Sequence, residues 1–227
     1  MFRDRKAFEQ GINMYVPAMQ YSNAIDHTQP QQFNLGAPAA NAVLQSGIAA
    51  NAAIGTTVAI NITLPETYGR TLIFTPSADP GASGGQIDWR GYDYLGQPIL
   101  QRISGVNGVA TPIAGLKAFK RITSAKIVTV STNAVTWSIT SGDNLGLPYR
   151  GDVTWAREAG VMVAVGAQFT PGVMTDPATS ATGDPRGLYN PTAAFDGIKE
   201  FLVAMIGDDS VNVNGNGGLH GIRHYFA

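Results

Sequence analysis

The sequence contains no cysteine. Disulfides, thiolate nucleophiles and thiolate metal ligands are therefore excluded, and stability has to come from packing or assembly. Charge is also scarce: Asp, Glu, Lys and Arg make up 14% of the 227 residues, against about 25% in ordinary globular chains. With 44% hydrophobic content, this implies that much of the surface is covered by something other than water. Neighbouring subunits are the simplest cover. A membrane is not expected as a partner, because no apolar run nears the ~20 residues that span a bilayer. The longest run, Gly160–Ala167, has strand length. The first residues, MFRDRKAFEQG, lack the apolar core and small-residue cleavage site of a secretion signal.

A net charge of −1 supplies no global field to attract nucleic acid. Locally, Arg90, Arg102, Lys117, Lys120, Arg121 and Lys126 are accompanied only by Asp88 and Asp93 between residues 84 and 126, whereas the chain after Arg150 is net acidic. Such complementary patches suit subunit docking better than nucleic-acid binding, which needs a denser basic stripe.

Candidate chemistry is sparse. His220 and His224 have the H-x-x-x-H spacing of helical zinc sites, but Gly-Ile-Arg intervenes without a glutamate base and the segment reads as a strand. On a strand, positions i and i+4 lie roughly 13 Å apart at ~3.3 Å per residue, too far to share one metal. Ser83 in GASGG lacks the G-x-S-x-G frame and its strand–turn–helix context. Asp208, Asp209, Asn212 and Asn214 offer oxygen ligands of the kind calcium takes, but a polar hairpin tip is the plainer account of them. No carboxylate pair carries a glycosidase signature. No enzyme activity, catalytic residue, cofactor or metal is expected.

What the chain does have is turn residues, 27 Gly and 13 Pro, punctuating segments of period two. Residues 1–35 read as an N-terminal arm, with Phe2, Phe8 and Tyr15 available to order against a neighbour. Residues 36–150 read as a β-sandwich core: TTVAINITL, GRTLIFTP, the stretch from Gln86 to Gly105, LKAFKRITSAKIVTVST and AVTWSITSG alternate apolar and polar side chains between turn clusters. Residues 151–227 read as a further β-rich portion packed on the same domain. DVTWAREAGVMVAVGAQFT makes two short strands or one bent at Gly160. A long turn-rich loop follows, then strands in IKEFLVAMIG and GLHGIRHYFA. The expected fold is all-β: an antiparallel β-sandwich, immunoglobulin-like or jelly-roll-like, with the arm and long C-terminal loops.

IDWRGYDYLGQPILQRISG (87–105) reads as a hairpin turning near Leu95-Gly96-Gln97. In a regular strand Tyr92 and Tyr94 share one face and Trp89 falls on the other, which favours Trp89 in the core. Arg90, Tyr92 and Tyr94 are left as subunit contacts, since Tyr and Arg are enriched at interfaces. The three aromatics together would alternatively make a stacking platform for sugars.

The order of these elements resembles a type of tailed-bacteriophage structural protein over roughly residues 56–206. The resemblance is carried by Gly91, Asp93 and Gly96 in a Gly-x-Asp-x-x-Gly turn core, the alternating strand through Ile103, and Lys117-Ala118-Phe119-Lys120-Arg121-Ile122-Thr123-Ser124. The stretch TGDPRGLYNPTAAFDGIKEF adds to it. It implies a virion component, most like a capsid decoration (cement) protein that is assembled in the host cytoplasm and binds the major capsid protein and neighbouring copies of itself. Arg186 and Tyr189 then join the arm as expected contacts. A tail or neck structural protein, or a receptor- or carbohydrate-binding module, is the alternative.

Overall fold

A computed structural model describes residues 30–50, 52–175 and 177–207. Phe2, Phe8, Tyr15, the two histidines near the C-terminus and the Asp208–Asn214 cluster lie outside the described residues. The described secondary structure is entirely β and antiparallel. In chain order the strands are β1 (Gln31–Gly36), β2 (Val43–Ala49), β3 (Thr57–Thr63), β4 (Arg70–Pro76), β5 (Gln86–Tyr92), β6 (Pro98–Ser104) and β7 (Ile113–Ala114). They continue with β8 (Arg121–Thr129), β9 (Thr136–Gly146), β10 (Gly151–Glu158), β11 (Val161–Val163), β12 (Phe169–Thr170), β13 (Leu188–Tyr189) and β14 (Phe201–Gly207).

Three sheets result. A hairpin sheet runs β3-β8-β5-β6, a central sheet runs β12-β13-β9-β4-β7 with β2 also paired to β9, and a terminal sheet runs β11-β10-β14-β1. The period-two reading holds in detail for β3, where Val58, Ile60 and Ile62 turn toward the core while Thr57, Ala59, Asn61 and Thr63 are exposed. The β5–β6 hairpin closes as expected, in unbroken register from Gln86 opposite Ser104 to Tyr92 opposite Pro98. The Ala159-Gly160 turn, with both residues at positive φ, makes β10 and β11 two strands rather than one.

The hairpin and central sheets pack face to face as the expected sandwich. Their shared core holds Leu72, Phe74, Ile87, Trp89, Ile122, Ile127, Trp137 and Ile139. Trp89 is fully buried and stacks on Phe74, with ring centroids 4.8 Å apart. Burying one large apolar side chain of this kind contributes about 1.5–3 kcal/mol.

The terminal sheet builds a second core, which the sequence did not reveal. Leu35 of β1, Val153 and Ala156 of β10, and Phe201, Val203 and Met205 of β14 meet Leu145, Leu147 and Tyr149 from the end of β9 and just beyond it. Two expected boundaries therefore look different in space. Residues 31–35, read as part of the arm, form an edge strand on β14. The segment up to Tyr149 is shared between both cores rather than ending the first.

Candidate functional site

The hairpin turn is organised by one carboxylate. Asp93 Oδ1 accepts the backbone N–H groups of Leu95 (2.9 Å) and Gln97 (2.8 Å), while the Asp93 N–H donates to the Gln97 carbonyl at 3.0 Å. Gly96, at φ +79°, supplies the left-handed residue this turn requires. The other oxygen, Asp93 Oδ2, receives Arg186 Nη1 at 2.9 Å, and both side chains are within 1% of complete burial. Arg186 also donates Nε–H to the Leu147 carbonyl (3.3 Å) and its backbone N–H to Asp184 Oδ1 (2.9 Å). Asp184 Oδ2 in turn accepts the Ala118 N–H at 3.0 Å.

Burial alone would lower the Arg186 pKa, but the Asp184 and Asp93 carboxylates outweigh it and raise it, so the guanidinium stays charged. Its carbon lies 5.1 Å from the centre of the Tyr94 ring. The Tyr94 hydroxyl donates to the Pro148 carbonyl, and burial pushes its pKa up to about 12 against the opposing pull of Arg186. The loop that carries Arg186 is thereby fastened to the tip of the hairpin.

Three further charged side chains are buried. Glu158, at the end of β10, accepts the Tyr189 hydroxyl (2.8 Å), the Thr192 N–H (2.8 Å) and the Thr192 hydroxyl. Arg70, at the start of β4, donates to the Gly142 carbonyl (2.6 Å), the Ala39 carbonyl (2.9 Å), Glu66 (3.2 Å) and Asn41, with its guanidinium 4.4 Å from the centre of the Phe195 ring. Lys117 is fully buried and donates Nζ–H to the Thr179 carbonyl at 2.8 Å; burial pushes its pKa down to about 8, partly offset by Asp184.

The outward face of the hairpin sheet carries Arg90, Arg102, Arg121 and Lys126 of the basic cluster seen in the sequence, whereas Lys117 is buried. Across the strands Asp88 stands opposite Lys126 on one side and Arg102 on the other, and Tyr92 stands opposite Arg121. Arg102 grips Asp88 through two N–H groups at 2.7 and 2.9 Å, and the Arg121 guanidinium sits 4.9 Å from the Tyr92 ring centre. A shallow depression of about 260 Å³ is lined here by Arg90, Tyr92, Leu100, Thr123 and Ser124. Arg90 and Tyr92 thus lie where a docking partner can reach them, both half-buried.

The other expected contacts are placed differently. Arg186 and Tyr189 are buried inside the chain, and Tyr94 is half-buried with its hydroxyl used internally. The correction has a physical cause. A charged or aromatic residue in a turn-rich loop looks like surface in sequence, but these find carboxylate and carbonyl partners up to 93 residues away. Nor do the three hairpin aromatics form one stacking platform, since Trp89 is in the core and Arg121 lies over Tyr92. Among the described residues no group of three His, Asp or Glu side chains gathers to hold a metal. Nothing in the sequence but a charge in an otherwise low-charge chain marks Glu158 and Arg70, while Asp184 lies in the TGDPRG stretch without a sign of what it binds.

No family model matches the sequence, no curated protein resembles it at a significant level, and no solved structure matches its fold at that level.

Proposed function

We propose that this chain is a structural virion protein of a tailed bacteriophage that decorates and stabilises the capsid by binding major capsid protein subunits and neighbouring copies of itself. The observation that carries the reading is rigidity combined with low charge. Buried ion pairs at Asp93–Arg186 and Glu66–Arg70 hold loops against both cores, in a chain with only 14% charged residues. A rigid body loses little conformational entropy on docking, and many copies on a symmetric lattice make individually weak contacts collectively strong. The segments that carry the family resemblance, the Gly91–Gly96 turn core and Lys117–Ser124, are adjacent in space, because β5 pairs with β8 across its length. On this reading the basic outer face of the hairpin sheet, with Arg90 and Tyr92, meets the acidic surface of a capsid subunit, and the chain resides on the outside of the virion.

Quantitative gel analysis and cryo-microscopy of purified particles test the proposal. Copy numbers in the hundreds, with density on the outer capsid surface, are expected. Six or twelve copies would move the chain to a tail or neck ring. A glycan-array signal lost in Tyr92→Ala would move it to a carbohydrate-binding role.

A further inference from the structure

From Thr28 to Pro65 the sequence contains no Asp, Glu, Lys, Arg or His. This uncharged segment supplies an edge strand to every sheet: β1 to the terminal sheet, β2 beside β9 in the central sheet, and β3 to the hairpin sheet. An edge strand presents unpaired N–H and C=O groups, and proteins that remain single copies blunt such edges with lysine, proline or a covering segment. None of these strands contains a charge or a proline.

Of the three, β3 is best formed for pairing. β2 shifts register twice against β9 and holds Gly47 at φ +75°. β3 shifts register against β8 between Ala59 and Ile62, yet its inward–outward alternation runs unbroken from Thr57 to Thr63, so the strand stays extended. Its sequence, TVAINIT, is close to a palindrome about Ile60. An antiparallel copy related by a two-fold axis at Ile60 sets Thr57 opposite Thr63, Val58 opposite Ile62, Ala59 opposite Asn61 and Ile60 opposite itself. Thr–Thr and β-branched pairs are favourable across antiparallel strands, and no like charges meet. A partner with charges at its edge would have to desolvate them against this strand, whereas a second copy brings none. Val58 and Ile62 are only half-buried, and Ile54, just before β3, is 69% exposed, so among the described residues apolar surface here is left uncovered.

We infer that β3 is a self-association edge: two copies of this chain pair through β3, antiparallel about Ile60, to join their hairpin sheets into one eight-stranded sheet. The inference deepens the assembly reading above and rests on it in taking a second copy as the occupant. An isologous contact of this kind closes as a dimer and leaves the outer face of each hairpin sheet available for a different subunit.

The test is the oligomeric state of the full chain by sedimentation velocity across a concentration series. Ala59 and Asn61 are exposed and point away from the core, so their substitution leaves the fold intact, which a thermal melt checks. The wild-type chain is expected to dimerise. Ala59→Lys with Asn61→Lys sets lysine against lysine twice and should raise the dimer Kd by about tenfold or more. Ala59→Lys with Asn61→Glu sets opposite charges in the same register and should dimerise like the wild type. A chain that is monomeric throughout overturns the inference, as does a dimer that tolerates the double lysine. A dimer that behaves as expected but is never found on particles leaves this inference standing and removes the decoration role.

Discussion

Arg186 and Asp93, 93 residues apart in sequence, meet at 2.9 Å in the interior and join the hairpin turn to the loop between β12 and β13. Removing one member of such a pair strands the other charge in a medium that solvates it poorly. Asp93→Ala or Arg186→Met should each cost about 3–5 kcal/mol, and the double variant less than their sum. Urea denaturation of all four proteins measures the coupling. Additive losses would mean that the two residues act independently.

Gly91 and Gly96 flank this turn core but answer to different constraints. A Cβ on Gly91 would lie 1.9 Å from the Arg121 carbonyl oxygen, whereas one on Gly96 meets nothing within 4 Å. Gly91→Ala should therefore prevent β5 and β8 from pairing and abolish folding. Gly96→Ala should cost only the left-handed strain, about 1–2 kcal/mol. Soluble yield and thermal melting rank the two, and equal effects would contradict the close approach of the strands.

Tyr189→Phe removes one of the donors that hold the buried Glu158 carboxylate. The loss should be about 1–3 kcal/mol, the cost of leaving a charged acceptor short of a partner. The tyrosine pKa is raised by burial first and then by the Glu158 hydrogen bond and charge. Alkaline absorbance titration should accordingly show a phenol that ionises only when the protein unfolds.

Lys117 makes stability depend on pH. Its pKa is near the ordinary 10.5 when unfolded and about 8 when folded. Between those values the unfolded chain holds a proton that the folded chain does not, so stability rises with pH from about 8 and falls as pH returns toward 8. Asp184 is the charge that acts on it. Tyr94 and Tyr149, both pushed up to about 12, together with Tyr68 and Tyr189, also raised by burial, oppose the trend as the pH nears 10. Unfolding free energies at pH 8, 8.5 and 9 should rise in the wild type, and Lys117→Met should remove Lys117's share of that rise.

The parts of this architecture legible in sequence are those set by local pattern. Alternation placed Trp89 in the core and turned the hairpin near Gly96, because a strand's period of two fixes which face each side chain takes. β2 is not legible, since its flanks AANA and ANAAIG look like connecting chain and its apolar residues have no strict period. β1 looks like arm in sequence because QQFNLG is mostly polar; it is a strand only by virtue of β14, which lies 165 residues or more further along the chain. Arg186 and Tyr189 look like surface for a related reason. A charge is buried when its partner is present, and Asp93 and Glu158 are not sequence neighbours of either residue.

The pairing of β1 with β14 also fixes where the chain comes in and where it goes out. Gln31 stands opposite Met205 and the strands are antiparallel, so the chain enters β1 and leaves β14 at the same corner of the terminal sheet. Labels placed at Gln31 and at Gly207 therefore share that one corner. A distance measured between them reports on the β1–β14 pairing alone, and a reporter meant for another part of the surface belongs in a loop of a different sheet.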